Sequence, residues 1–237
     1  TLPSLLKENT VGYDAELVMV DFALFLQFKR SFFVSRRHPQ GVCGIVNGGP
    51  HCTWAHWQTE HYRFDVDTNS DQFVIMRGYE TDISLGYRSG LSLYVAPAFH
   101  HQSELDDAYS RGAVLDRSVG VVPSTFDVVP AGEHHFSFDA SMTTAAVLSD
   151  PVAAPVKSAA DQVASEVDRQ SAAEPTEGDP LTLASLAAWA DNQPVESLPR
   201  RDFDRTSAPQ TLAYLNDFAG LLGGAFVLLG HVTEADD

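Results

Sequence analysis

The pattern of apolar residues predicts a series of short strands and helices in the first 149 residues. The run FALFLQFKRSFFV, over residues 22–34, is apolar on both faces, which is typical of a central strand. Residues 12–20 precede it across a very short gap, so the two are predicted to form an antiparallel hairpin. Further strands are predicted over 61–66, 90–99 and 134–140, and helices over 70–81 and 102–112. This order of elements predicts an α/β sandwich with a mixed sheet for residues 1–149.

The pattern changes after residue 149. Residues 150–180 are rich in Ala, Ser and acidic residues and almost free of large apolar ones, which predicts a linker or a solvated helix. Two helices are predicted in residues 181–237, over 181–192 and 208–232, as a C-terminal helical appendage. The second helix carries an apolar stripe that needs a partner surface. The preceding segment is long enough to let it return to its own sheet or cross to a second subunit, and we expect a homodimer.

Charge restricts the classes of partner. The formal net charge of −17 argues against adhesion to nucleic acid or to anionic membrane through the whole surface. The charge is uneven, because residues 1–50 carry +1 and the remaining residues −18. A polyanion could therefore still bind locally, at the part of the surface formed by residues 1–50. The two cysteines fit a cytoplasmic protein, the start lacks the apolar stretch of a signal peptide, and the run over 218–230 is too short to span a bilayer.

One lysine stands inside the most apolar run of the N-terminal half. On a strand, Gln27 and Lys29 project from the same face, beyond Phe25, while Leu24, Leu26 and Phe28 fill the other side. Burial of an unpaired charge in a strand costs roughly several kcal/mol of folding free energy, which favours a functional role for this lysine. The alternative is an edge strand whose Gln27 and Lys29 face solvent.

The neighbouring oxygen-bearing groups indicate a metal. Asp14 begins the strand that pairs with the Lys29 strand in the predicted hairpin, and it can lie beside Gln27. The Asp14 carboxylate, the Gln27 side-chain carbonyl and the backbone carbonyl of Phe28 suit a hard cation such as Mg²⁺ or Mn²⁺. Such a cation activates water as a nucleophile, and a nearby lysine stabilises charge on a phosphoryl group.

The motif GYD, followed by twelve residues and QFK, resembles the PD-(D/E)XK nuclease superfamily and, within it, the Mrr-like branch that has QxK. The resemblance covers residues 5–100 and implies a restriction-endonuclease-like sheet flanked by helices. It implies Asp14 as the metal-binding acid, Gln27 at the second acidic position, Lys29 as the catalytic lysine and Glu8 as an acid on the first helix. The implied activity is Mg²⁺-dependent hydrolysis of phosphodiester bonds, with DNA the expected partner, in a defence or mobile-element context.

Three arginines directly follow the catalytic motif. Arg30, Arg36 and Arg37 could contact phosphates and position a duplex, or they could belong to a solvated loop.

Two further groups have both a functional and an ordinary interpretation. A zinc site is one reading of the Cys and His cluster, although its spacing matches no standard finger and ordinary loop and strand histidines are the alternative. The cluster consists of Cys43, His51, Cys52, His56 and His61. The aromatic-rich stretch that begins at Trp54 and Trp57 and continues to Phe64 predicts either core packing or a platform for stacked bases.

Two other classes of function stay open at the level of sequence. The chain could be a catalytically inactive module that keeps the nuclease fold for binding nucleic acid or protein. It could also be a structural interaction protein built around the C-terminal helix pair.

Overall fold

The computed structural model describes residues 22–36, 53–84, 90–148, 151–172, 181–193, 195 and 207–229. The predicted strand over 12–20 lies outside these residues. So do Glu8, Asp14, Arg37, Cys43, His51 and Cys52.

Ten strands and six α-helices follow one another in the described ranges. The strands are β1 (Phe22–Phe28), β2 (Phe32–Val34), β3 (His61–Asp67), β4 (Gly90–Pro97), β5 (Ser118–Val121), β6 (Glu133–Phe138), β7 (Ala145–Leu148), β8 (Pro151–Ala154), β9 (Lys157–Ser158) and β10 (Gly224–Leu229). The helices are α1 (Thr53–Trp57), α2 (Asp71–Ser84), α3 (Gln102–Ser110), α4 (Ala159–Ser171), α5 (Leu183–Asp191) and α6 (Ala208–Leu221). A 3₁₀ turn spans Pro123–Phe126.

The strands form two five-stranded sheets. Sheet A has the order β10-β1-β4-β5-β9, and sheet B has the order β2-β3-β6-β7-β8. In sheet A, β1 runs parallel to β4 and antiparallel to β10, whereas the described pairs of sheet B are all antiparallel. Both edges of β1 are therefore occupied, so the predicted hairpin between residues 12–20 and this strand is wrong. The mixed α/β fold expected from the sequence is therefore confirmed.

Strand β1 is buried on both faces, as its continuous apolar run predicted. Ala23 and Phe25 belong to the larger core cluster, which also holds buried residues of sheet B and of helices α2, α5 and α6. Leu24 and Leu26 belong to a second cluster, against helix α4. Phe28 was expected to fill this second side, and this expectation is wrong: Phe28 lies at the end of the strand and is 51% exposed.

The predicted strand over 22–34 is two strands in two different sheets. Strand β1 ends at Phe28, and β2 begins at Phe32 in sheet B. The break falls at the polar residues Lys29, Arg30 and Ser31, where the backbone N–H of Lys29 still donates to the carbonyl of Val95, at 2.8 Å. The apolar pattern missed this crossing because the runs on both sides of it are equally apolar.

The predicted C-terminal helix over 208–232 ends early. Gly223 adopts a positive φ of 69°, which glycine reaches without steric penalty, and the chain turns there into β10. Strand β10 lies so close to β1 that there is no room for a side chain at Gly224, since a Cβ there would lie 2.5 Å from the carbonyl oxygen of Leu26. The apolar stripe of helix α6 is buried within the chain's own core, through Leu215, Phe218 and Leu222.

The other predicted elements fall into two groups. Strands β3, β4 and β6 and helices α2 and α3 are confirmed, with small shifts at their ends. Strands β7 to β10 follow β6 and were not predicted, and the segment 150–180, predicted as a linker or a solvated helix, contains β8 and β9 as well as helix α4. Strands of two to four residues are too short to produce a readable periodicity. Within the described ranges, the helices are too short or too polar to cross a membrane.

Candidate functional site

The carboxyl end of β1 brings Gln27 and Lys29 to the same side of sheet A as Tyr94. Gln27 pairs with Tyr94 across the parallel β1–β4 ladder, so the two side chains share a face. Lys29 follows at the end of the strand, and its Nζ lies 5.2 Å from the centre of the Tyr94 ring. The same-face arrangement of Gln27 and Lys29 predicted from the sequence is what the structure has.

The Lys29 ammonium group is held by a neutral partner. Its Nζ donates to the Gln72 side-chain oxygen at 3.1 Å, from the first turn of helix α2. Among the described residues, no carboxylate forms an ion pair with Lys29. Burial lowers the pKa of Lys29 below its ordinary value, and the more distant negative charge of Asp65 opposes this shift only in part. Among the described residues, the charge of this half-buried cation is therefore only partly compensated.

Gln27 places an amide deep in the same corner. The residue is 4% exposed, its Nε2 donates to the Phe28 carbonyl at 3.3 Å, and its Oε1 has no hydrogen-bond partner in the described part of the chain. A buried acceptor without a partner costs about 1–3 kcal/mol, so a ligand that engages it would stabilise the site.

The glycine turn before β10 connects the two glutamines. Gln72 Nε2 donates to the carbonyl of Leu222. A Cβ on Gly223 would lie 3.7 Å from Gln27 Nε2 and 3.9 Å from Gln72 Nε2, so both amides border this turn. The carboxyl end of β1, the first turn of α2 and the α6–β10 turn thus meet at one place.

The oxygen atoms of this corner fit a hard divalent cation. In the described part of the chain Gln27 Oε1 is buried without a hydrogen-bond partner, and the Phe28 carbonyl accepts a 3.3 Å hydrogen bond from Gln27 Nε2, so both are oxygen donors of the type that such a metal prefers. The acids expected to complete the site, Asp14 and Glu8, lie outside the described residues. Within the described ranges there is no cluster of three His, Cys, Asp or Glu side chains arranged to hold a metal.

Sheet B contributes a carboxylate that the sequence did not single out. Asp65, on β3, faces His135 across the β3–β6 ladder, and the Asp65 Oδ1 and His135 Nδ1 atoms are 2.5 Å apart. Arg63 Nη1 lies 3.5 Å from the other nitrogen of the His135 ring. Burial acts to raise the pKa of Asp65, but the hydrogen bond from His135 and the nearby positive charges outweigh it, and the pKa lies below its ordinary value.

A signal for this pair was present in the sequence. Arg63 and Asp65 alternate with the buried Tyr62 and Phe64 on a predicted strand, which puts both polar residues on one face. Their proximity to His135 depends on the pairing of β3 with β6, which are about seventy residues apart in the chain, and no local pattern shows such pairing.

Two of the three arginines predicted to contact phosphate are described. Arg30 and Arg36 are both exposed, and the Arg30 guanidinium carbon lies 5.2 Å from the centre of the Phe32 ring. Arg37 lies outside the described residues. Both interpretations of these arginines, phosphate contact and solvated loop, are compatible with this exposure.

The zinc hypothesis and the stacking-platform hypothesis concern the same face of sheet B. His61 is buried, its Nδ1 lies 2.8 Å from the Thr59 carbonyl, and its ring stacks on Trp57 at a centroid distance of 5.6 Å. His56 is exposed, and the remaining zinc candidates lie outside the described residues. The Trp57 indole donates to Ser137 at 2.8 Å. Because this indole packs on a buried ring and against the sheet, the aromatic stretch is better explained as packing.

Comparison with protein-family models, curated proteins and solved structures gives no match. The chemistry of the corner formed by Gln27, Lys29 and Gln72 is therefore the basis on which a function can be argued.

Proposed function

We propose that the protein is a metal-dependent, nuclease-like enzyme that hydrolyses phosphodiester bonds of nucleic acid. The observation that carries the proposal is Lys29: a half-buried ammonium at the end of a central strand, held by the neutral Gln72 amide and lacking a paired carboxylate in the described part of the chain. A cation kept in this state is destabilising for the fold and is useful where it meets an anion. A phosphate diester supplies that anion.

The proposed roles rest on the positions of the described groups and, for Asp14, on the sequence motif. The Lys29 ammonium stabilises the negative charge that develops on the phosphoryl oxygens, and Gln72 holds it in place. Gln27 Oε1 and the Phe28 carbonyl, together with Asp14, would hold Mg²⁺ or Mn²⁺. A bound cation of this kind lowers the pKa of water and so makes a better nucleophile. Arg30, which directly follows Lys29, and the exposed Arg36 would contact the phosphates of the bound strand.

The first test is cleavage. Labelled single-stranded and duplex DNA and RNA are incubated with the purified protein and Mg²⁺ or Mn²⁺, and products are resolved on denaturing gels. We expect wild-type protein to cut at least one substrate and Lys29→Met to lose about 100-fold or more of the rate. Lys157→Met is the matched control, because it removes an exposed lysine from β9 and should retain the activity.

The outcomes separate the proposal from its main rival. Equal activity in Lys29→Met and wild type would reject a catalytic lysine. Binding of nucleic acid without cleavage by either protein, with both folded by circular dichroism, would support the inactive binding module instead. Activity lost equally in Lys157→Met would point to a general effect of charge and would also reject the assignment.

The second test addresses the metal directly. Calorimetric titration with Mn²⁺ should show binding to wild-type protein that Asp14→Ala abolishes and Gln27→Leu weakens, with little change in stability for Asp14→Ala. Asp116→Ala, at an exposed position on the surface, is the control for removing one carboxylate. Unchanged Mn²⁺ binding in Asp14→Ala would refute its role as a ligand.

The oligomeric state bears on cleavage of both strands of a duplex, which commonly uses two active sites related by a two-fold axis. The stripe on helix α6 is covered by the chain's own core, so a homodimer would need a different surface. Light scattering at micromolar concentration, in low and high salt, measures this: a dimer mass supports the paired arrangement, and a monomer mass rejects it.

A further inference from the structure

A cavity of about 600 Å³ opens at the carboxyl ends of β1 and β4. The chain segment from Phe28 to Phe33, which crosses from sheet A to sheet B, forms one wall, and the start of helix α3 forms another. The carboxyl ends of parallel strands are the usual place for ligand binding in open α/β sheets, and the volume lies in the range of small-molecule sites, about 300–1,000 Å³.

Aromatic rings dominate the walls of this cavity. Phe28 and Phe32 are 51% and 40% exposed, which is unusual for phenyl groups that have no polar handle. Deeper in the cavity, the Phe33 ring stacks on His100, with a centroid distance of 4.0 Å and an interplanar angle of 14°. The cavity therefore offers exposed flat apolar surfaces beside a preformed ring stack.

The charge of the lining is positive, in contrast to the rest of the protein. Lys29 and Arg30 carry this charge, His100 and His101 also line the cavity, and none of the described lining residues is acidic. The whole chain has 32 acidic residues against 15 lysines and arginines, so a wall without a carboxylate is a departure from its composition.

The nearest acid on helix α3 is already engaged. Glu104 accepts the backbone N–H groups of His100 and His101, at 2.9 and 3.1 Å, and lies 3.8 Å from Arg117. These hydrogen bonds, led by the one from the His100 backbone, lower the pKa of Glu104. The carboxylate is therefore used to fix the start of the helix, where it supports the wall.

We propose that this cavity binds an unpaired nucleobase, so that the substrate is single-stranded nucleic acid or a locally opened duplex. Phe32, whose ring centre lies 5.2 Å from the Arg30 guanidinium carbon and 6.0 Å from that of Arg63, is the exposed ring on which a base stacks, and these cations hold the phosphates. A phosphate alone would gain nothing from the exposed rings, and a paired base cannot reach them. The part of the inference that places Lys29 next to the bound strand rests on the proposed function; base binding itself does not.

Fluorescence anisotropy tests the inference, in EDTA so that no cleavage occurs. The probes are labelled oligonucleotides of about 12 nucleotides: single-stranded DNA, single-stranded RNA, the corresponding duplex, and an abasic DNA strand with the same number of phosphates. Wild-type protein should bind a single strand at least tenfold more tightly than the duplex or the abasic strand. Phe32→Leu should lose about tenfold of this affinity, and Tyr109→Leu, at a ring 78% exposed on helix α3 outside the cavity, should lose none.

A second readout reports stacking rather than charge. An oligonucleotide that contains 2-aminopurine should change its fluorescence on binding to wild-type protein and much less on binding to Phe32→Leu. Equal affinity for the intact and the abasic strand would overturn the proposal, since phosphates alone would then account for binding. Equal affinity of wild-type protein and Phe32→Leu would also overturn it.

The two proposals can fail separately. Cleavage that depends on Lys29 but not on Phe32 would keep the nuclease and reject the base site. Base-dependent binding that needs Phe32, in a protein that cuts nothing, would keep the base site and reject the nuclease.

Discussion

Lys29 at the end of sheet A and Asp65 in sheet B are both partly buried ionisable groups, and they are held in opposite ways. Asp65 has a histidine at hydrogen-bond distance and an arginine next to that histidine. Lys29 has the neutral oxygen of Gln72 and the face of Tyr94. The electrostatic environment accordingly lowers the pKa of the Asp65 carboxyl, which favours its charged form, while burial lowers the pKa of Lys29, which disfavours its charged form.

The difference is between a carboxylate stabilised by charged groups of the fold and an ammonium that, among the described residues, has only neutral groups in direct contact. A charge-compensated pair within a sheet helps to fix the register of its strands, and its charges need no ligand to be stabilised. A desolvated cation whose charge is only partly compensated destabilises the folded protein, and such groups are candidates for functional sites. The comparison predicts that substitutions at the two places have opposite effects on stability.

The largest effect is expected from His135→Ala. The His135 side chain is fully buried, so its removal leaves a cavity and takes the hydrogen bond from Asp65. We expect a loss of about 2–4 kcal/mol in the free energy of unfolding, measured by urea denaturation. His56→Ala, at an exposed histidine, should change it by less than about 0.5 kcal/mol. A loss in His135→Ala no greater than in the control would mean that the Asp65–His135 pair does not hold the sheet.

The sequence indicated the position of Lys29 much better than it indicated the Asp65–His135 pair. The position of Lys29 on the face of Gln27 follows from the period of a strand, and this part of the corner was predicted from the sequence. Gln72 lies in this corner because helix α2 begins close to the end of β1. No local sequence pattern indicates this proximity. The Asp65–His135 pair depends on long-range strand pairing, and it was missed for that reason.

The same limit explains the errors in the fold. Elements with a clear period, such as α2, β3 and β4, were predicted near their true bounds. The crossing at Lys29–Ser31 and the turn at Gly223 were missed, since apolar residues continue through both places. The crossing is determined by the pairing of the two halves of this run with different sheets, and the turn by the positive φ of Gly223. Both depend on tertiary structure.

The second effect in size is expected from Lys29→Met. Removal of a desolvated charge is favourable, while loss of the donor to Gln72 is unfavourable, so we expect the free energy of unfolding to stay within about 1 kcal/mol of wild type or to rise. A loss greater than that of His135→Ala would reverse the comparison and make Lys29 a structural residue.

The pH dependence sharpens this prediction. Because the pKa of Lys29 in the folded protein lies below its ordinary value of 10.5, the destabilising charge is fully present below the folded pKa. Between the folded pKa and 10.5 the unfolded chain binds more protons, so wild-type stability should rise with pH relative to Lys29→Met. Urea denaturation from neutral pH to about pH 10.5 measures the difference, with Lys157→Met as the reference for an exposed lysine. A difference that stays flat over this interval would contradict the poor compensation of Lys29.

The smallest effect is expected from Asp65→Asn, and its pH dependence should appear only in acid. The pKa of Asp65 in the folded protein lies below its ordinary value of 3.8, so the charged carboxylate contributes its full stabilisation above pH 3.8. This contribution is lost as the pH falls through the folded pKa, because the unfolded chain then binds more protons than the folded one. The stability advantage of wild type over Asp65→Asn should therefore be constant near neutral pH and shrink below pH 3.8. Denaturant unfolding of both proteins across this range measures it, and Asp116→Asn gives the baseline for the loss of one exposed carboxylate. Since the Asp65 side chain is 41% exposed, solvent screens its interaction with His135 and the effect is modest. A stability advantage of wild type that grew in acid would show that the fold disfavours the charged form of Asp65, as it does for Lys29.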